Sequence, residues 1–222
     1  MITKINKKLT VCLVCCGITA APAAFTSCSD KWDDHYEAAA MEGGTLWQAI
    51  SAPQSNMTQF ARVLQACGYD QVLNGSQTYT VFAPTDDTFT ASEADDLIAL
   101  YNSQKADGRR ADENTVVRQF LQNHIALYKY PVSSFTNDTM TLMNNKYYVI
   151  TQQTLGDRRL TSVNKLCDNG LLFTVDRRLD YFPNIFEYLG MDGETDSAYQ
   201  FLNQYNVYEF NEAKSVVGEI VD

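Results

Sequence analysis

Histidine is nearly missing from this chain of 222 residues, which has only His35 and His124. Two such distant residues cannot form a metal motif of the H-E-x-x-H kind. Neither a G-x-S-x-G nucleophile elbow nor a G-x-x-x-x-G-K-[ST] phosphate loop occurs, which argues against familiar hydrolases and nucleotidases. Basic residues are also few, 17 against 27 acidic, for a net charge of −10. Setting aside residues 1–27, which hold three lysines and no acids, 14 basic residues face 27 acidic ones. Such a surface repels phosphates, so no nucleic acid is expected as a partner, and no docking on anionic headgroups through a basic patch. Long apolar runs are absent as well. The best, "LTVCLVCCGITAAPAAF", falls short of the roughly 20 residues a spanning helix requires, and Pro22 interrupts it. Cysteine is concentrated early, at Cys12, Cys15, Cys16 and Cys28, which leaves Cys67 and Cys167. In an oxidising compartment these two can pair, although Cys67 in "RVLQACGY" serves equally well as an Ala-sized residue closing a helix.

What is present begins with a leader. Lys4, Lys7 and Lys8 precede an uncharged stretch from Leu9 to Ser27, the order of a secretory signal: basic start, apolar middle, small residues near the cut. Small residues around Ala21 and Ala23 suit ordinary signal peptidase. The alternative cut lies at "FTSC", which resembles the lipobox of bacterial lipoproteins, with Phe25 where Leu is usual and Ser27 where Gly or Ala is usual. That resemblance implies that residues 1–27 are removed and that Cys28 carries the lipid. The acidic segment that follows, "SDKWDDHYE", is similar to the surface-export tether of Bacteroidota lipoproteins, and residues 28–43 are assigned to a tether.

The remainder, 45% apolar over the whole chain and 12% aromatic, suffices for one core. "GGTLWQAI" starts a helix stopped by Pro53, and "NMTQFARVLQACG" makes a second, with Asn56 as its cap and Phe60, Val63, Leu64 and Cys67 on one face. "QTYTVFA" is a strand ended by Pro84, after which Thr85 or Asp86 caps a new turn and Phe89 anchors it. "SEADDLIALYNSQKADG" is a helix buried along Leu97, Ile98, Leu100 and Tyr101. Asp112 or Asn114 caps the next, "TVVRQFLQNH", which buries Val116, Val117, Phe120 and Leu121. Short strands follow near residues 125–128, 139–142, 147–150, 160–163 and 171–175, separated by turn residues such as "NNK" and "DNG". Helices first and strands later predict an α+β domain.

"TYTVFAPTDDTF" at 78–89 resembles the first signature of the fasciclin domain, and "NGLLFTVDRRL" at 169–179 its second. Between them "FLQNHIALYKYP" stands where that family has a helix, a Tyr-His or Asn-His pair and a strand. The resemblance covers residues 44–180. It implies a wedge-shaped β-sandwich with helices clustered on one side, used by secreted or anchored adhesion proteins rather than by enzymes. It also implies that His124, Thr85 and Asp86 share a structural hydrogen-bond cluster. Asn123 stands where several adhesive animal members have Tyr, which weakens transfer of their receptor-binding role.

Beyond residue 180, "YFPNIFEYLGM" and "DSAYQFLNQYNVYEFNEAKSV" read as helices. Phe182, Ile185, Phe186 and Leu189 fall on one side of the first, and Tyr199, Phe201, Leu202 and Tyr205 on the second. Residues 181–222 are expected to pack on the domain, or to link it to a further fasciclin-like domain. The acidic pairs Asp86–Asp87 and Asp95–Asp96 are read as helix caps in preference to calcium ligands, so no metal and no cofactor is expected.

The leading expectation is a non-enzymatic lipoprotein, held by Cys28 and exposed on the outer membrane, whose domain binds an extracellular glycan or protein. Asn123, His124, Tyr128 and Tyr130 are its candidate ligand contacts. Tyr147, Tyr148, Trp32 and Trp47 are further aromatics of the same kind. Two other readings stand beside it: a subunit of a larger outer-membrane complex, for example for polysaccharide capture, and a hydrolase in which Asp86 orients His124 and Thr85 attacks. "DTM" and "DSA" resemble the O-glycosylation acceptor of Bacteroidota, with Thr139 and Ser197 as acceptors.

Overall fold

The computed structural model describes residues 43–131, 135–191 and 195–207. The leader, Cys28, the tether as far as residue 42 and the terminal "VVGEIVD" lie outside the described residues.

Three helices open the domain: α1 (Leu46–Ser51), α2 (Thr58–Ala66) and α3 (Tyr69–Asn74). Thr45 and Gln48 form a reciprocal capping box on α1, so its first turn is fixed locally. Strand β1 (Tyr79–Pro84) leads through a turn into α4 (Ala91–Ala106), where Thr90 and Glu93 make a second capping box. Only Ala94, Tyr101 and Gln104 of α4 are buried. Leu97 and Ile98 pack on the core from its edge, and the expected contribution of Leu100 is corrected: its side chain faces solvent. Val116–Leu121 is also not the α-helix its apolar spacing predicts but a π-helical turn, followed by a 3-10 turn over Gln122–His124. Asn114 starts it as expected, accepting from the Val116 amide, while the Gln104 side chain takes the Thr115 amide.

The strands that follow are β2 (Ile125–Leu127), β3 (Thr136–Thr141), β4 (Tyr147–Thr151), β5 (Thr154–Leu155), β6 (Arg158–Cys167) and β7 (Gly170–Val175). They form a seven-stranded sheet in the order β2-β1-β7-β6-β5-β4-β3, in which β1 runs parallel to β7 and every other pairing is antiparallel. The fold is thus α+β. The expected sandwich is built from one continuous sheet rather than two. Register shifts in the long β6 bend it, and residues of β1, β2 and β7 meet those of β3, β4 and β5 in a shared core around Phe82, Phe173, Met140 and Ile150.

Strict alternation places β1 between two cores. Tyr79, Val81 and Ala83 face the helices, whereas Phe82 faces the other half of the sheet and stacks on Phe173 with ring centres 5.3 Å apart. The "DNG" turn does more than reverse the chain. Asn169 accepts from the Leu46 amide at 2.7 Å and donates to Leu73 and Gly75 carbonyls at 2.8 and 2.7 Å, joining α1 and α3 to the β6–β7 hairpin. Gly170, at φ 159°, lies so close to β1 that a Cβ would stand 2.1 Å from the Tyr79 carbonyl oxygen. Cys67 and Cys167 are not joined by a disulfide.

The chain leaves the sheet into α5 (Ile185–Leu189) and α6 (Asp196–Asn203). Neither helix buries a residue fully. The segment meets the body through Glu187, which pairs with Lys146 and Arg118, and through Phe182, whose ring centre lies 6.2 Å from that of Tyr148, while α6 packs on α5 through Phe186 and Tyr199 at 4.9 Å.

Candidate functional site

The "APTDDTF" turn explains itself through α2. Asn56, the expected cap, sits at φ 55°, outside the extended conformation a cap residue adopts, and the actual N-cap residue Met57 has no side-chain oxygen. Asp86 supplies the missing acceptor from the end of β1. Its carboxylate accepts from the Thr58 amide at 2.9 Å and the Gln59 amide at 2.8 Å, while its own amide donates to the Asn56 carbonyl at 2.9 Å. Asp87 takes the Asn56 side-chain amide at 2.8 Å. The Thr85 carbonyl closes the turn by accepting from Thr88 and Phe89, and Phe89 is buried in a stack with Phe120.

His124 has other partners. Its Nδ1 meets the Phe120 carbonyl at 2.7 Å, and its Nε2 accepts from the Leu179 amide at 2.9 Å. An acceptor Nε2 fixes the tautomer with the proton on Nδ1, donated to Phe120. The ring is fully buried between Phe60 and Phe120. That burial pushes its pKa down to about 4; the Phe120 bond opposes the shift, and the Arg178 and Arg158 charges add to it. The expected cluster is therefore divided: Asp86 serves α2, His124 serves residue 179, and neither ring nitrogen meets Thr85 or Asp86. The hydrolase geometry fails on the same ground, since the imidazole is closed to solvent and both its nitrogens are bonded to backbone.

Asn123 is also fully buried, and with His124 it is removed from the candidate ligand contacts. Its amide donates to the Tyr148 hydroxyl at 3.1 Å and the Asp180 carbonyl at 3.2 Å, and accepts from Asn144 at 2.9 Å. Tyr148, buried where an exposed face was expected, bonds the Asp180 carbonyl too. Arg158, almost wholly buried, donates to the Arg178 carbonyl at 2.8 Å and pairs with Asp157 and Asp180. Four buried polar side chains thus hold residues 178–180 to the body. Arg158, Tyr148 and Asn144 escape a sequence reading because their partners lie 20–32 positions away without a local pattern.

The surface keeps other candidates. Tyr128 is 58% exposed and sits at φ 71°, the left-handed region. Its amide donates to the Thr78 carbonyl at 3.1 Å, and its carbonyl accepts from the buried Thr80 hydroxyl at 2.8 Å. That same hydroxyl accepts from the amide of Tyr130, whose half-buried ring packs on the second core. Tyr147, 70% exposed, stands beside Val149 on the outer face of β4, opposite Thr141 and Thr139 of β3. Trp47 is half-buried against the helical core. Thr139 and Ser197 are both exposed and hence accessible to modification. Among the described residues no three His, Cys, Asp or Glu side chains converge as metal ligands would, and no helix is long and apolar enough to cross a membrane.

The family model described as "Fasciclin domain" matches residues 55–181. Among solved structures, the chain is similar to a FAS1 domain pair from the insect cell adhesion molecule fasciclin I, at 16% identity and a TM-score of 0.43. That match covers 61% of this chain and 50% of the other, so the chain spans half the length of that pair. No curated protein matches.

Proposed function

This chain belongs to the fasciclin domain family, and we propose on that footing that it is a non-enzymatic adhesion protein of the cell surface, binding an extracellular glycan or protein through solvent-facing tyrosines. Cys28 carries its lipid anchor in the outer membrane, and the acidic tether spaces the domain from it. A net charge of −10 leaves the attachment to the lipid chains.

The observation that carries the binding reading is Tyr128. A bulky residue in the left-handed region costs about 1–3 kcal/mol and persists only where its surroundings enforce it. Here Thr78 and Thr80 enforce it, and the result is a ring that faces water instead of filling a core. A rigid aromatic with a polar tip suits stacking on a sugar face or anchoring a protein partner.

The test is binding of the intact protein to a glycan array and to captured surface proteins, with Tyr128→Ala and Tyr147→Ala as variants. Loss of ten-fold or more in affinity for Tyr128→Ala is expected. Undiminished binding by both variants would sink the reading. Surface display of Cys28→Ser measures the anchor, and display equal to wild type would refute it.

A further inference from the structure

Between α4 and the π-helical segment the chain runs out over the surface. Residues 105–113 are exposed without interruption, and this run holds the adjacent pair Arg109 and Arg110. Gly108 sits in its middle at φ 81°, with open space around it. The amides of Asp107, Gly108, Arg109 and Glu113 all donate to carbonyls within residues 103–110. Arg110 pairs with Asp112 inside the same loop, and both side chains are largely in water. The loop is therefore held by its own short-range bonds and can open locally while the core stays closed.

Its two ends are tied together just behind the exposed run. Gln104 donates to the Thr115 hydroxyl at 2.9 Å and accepts from the Thr115 amide at 2.8 Å, while Asn114 donates to the Tyr101 carbonyl at 3.2 Å. Gln104 and Asn114 are both buried. Opening thus stops at a fixed base. Other basic residues lack this freedom. The peptide bonds after Arg62 and Lys105 lie within helices. Those after Lys129 and Arg178 end in the amides of Tyr130 and Leu179, which Thr80 and His124 hold.

We propose that residues 105–113 are a site of limited proteolysis by an arginine-specific endoprotease, which nicks the chain after Arg109 or Arg110 and leaves the domain assembled. Exposed loop tips of small and polar residues are where proteases cut folded chains. Hydrolysis adds one water, leaving a carboxylate on the arginine and an amine on the residue that follows it. Assembly survives because the cut separates partners within one sheet. Strand β1, ahead of the cut, lies between β2 and β7, which follow it, and pairs with β7 along its whole length. Phe82 stacks on Phe173 and Phe89 on Phe120 across the same divide, at 5.3 and 5.2 Å. Each fragment thus supplies half of a core that the other completes.

Trypsin at a low ratio, added to the full chain in detergent, tests this. Intact mass is expected to place the first cut among residues 43–207 after Arg109 or Arg110. The two fragments should co-elute on size exclusion and part only in denaturant. Arg109→Gln combined with Arg110→Gln should slow cleavage of the loop about ten-fold or more with the melting temperature unchanged, since both side chains are exposed. A first cut elsewhere among residues 43–207 overturns the proposal, as do fragments that separate without denaturant. A double variant cut within residues 105–113 at the wild-type rate overturns it equally.

Discussion

The imidazole of His124 accepts a hydrogen bond from the backbone amide of Leu179 at 2.9 Å, joining residues 55 positions apart within a dry, aromatic pocket. The residue that looks most like chemistry is a buried link between the turn ahead of β2 and the exit from β7. Replacing it by Ala leaves the Leu179 amide and the Phe120 carbonyl without partners, and should cost about 1–3 kcal/mol. Denaturant unfolding of His124→Ala measures this, and an unchanged midpoint would refute the structural role.

The same burial sets a pH dependence. His124 has a pKa of about 4 in the folded chain and an ordinary value of 6.5 when unfolded, so between those values the unfolded state binds the extra proton. The contribution of neutral His124 is complete above pH 6.5 and is lost as the pH falls towards 4. Wild type should lose about 1.4 kcal/mol per pH unit more than His124→Gln within that window. Parallel stability curves for the two proteins would show the link to be absent.

Asp86→Ala removes the carboxylate that caps α2 and should destabilise the fold by about 1–2 kcal/mol, as the loss of other N-caps does. Asp86→Asn keeps an acceptor oxygen and should recover much of the loss. Thermal unfolding of the pair measures the difference, and equal effects of Ala and Asn would assign the role to charge instead.

Gly170→Ala should cost on the order of 3 kcal/mol or more, since the added methyl meets the Tyr79 carbonyl and the Leu46 side chain within a parallel strand pairing. Gly68→Ala provides the comparison. Its φ of 77° strains a side chain too, but open space surrounds it, so it should lose less. The ranking of the two melting temperatures is the readout.

Cys67 should resist alkylation. Burial pushes its thiol up to about 12, with Lys105 opposing this only in part, so little thiolate exists near neutral pH. Iodoacetamide at pH 8 should leave native Cys67 unmodified by mass spectrometry and label it once denaturant is added. Rapid labelling of the native chain would contradict this environment.

Patterns that act over a few residues were legible in advance. β-branched and aromatic residues in "TYTVFA" and the apolar run "LLFTV" set two strands, helical spacing in "QFARVLQA" set α2, and the order of helices and strands set the α+β class, because each is written in a short continuous stretch of chain. The two-residue β5 was too short to show a period, and the π-helical turn shares its apolar spacing with an ordinary helix. The candidate site was named from its residue types but not from its connections. Asn123, His124 and Asp86 bond partners that only folding brings near, whereas Thr85 bonds its own turn at Thr88 and Phe89.

Sequence by itself determined most strands, most helices and the acidic balance, because composition and periodicity are local properties. Tertiary structure decided that Asp86 caps α2, that His124 and Asn123 hold residues 179 and 180, that Asn169 joins α1 to the β6–β7 hairpin, and that α5 and α6 keep an apolar face in water. The first three depend on groups 27 to 123 residues apart in the chain, and what a polar side chain does there depends on which buried backbone group lies within reach.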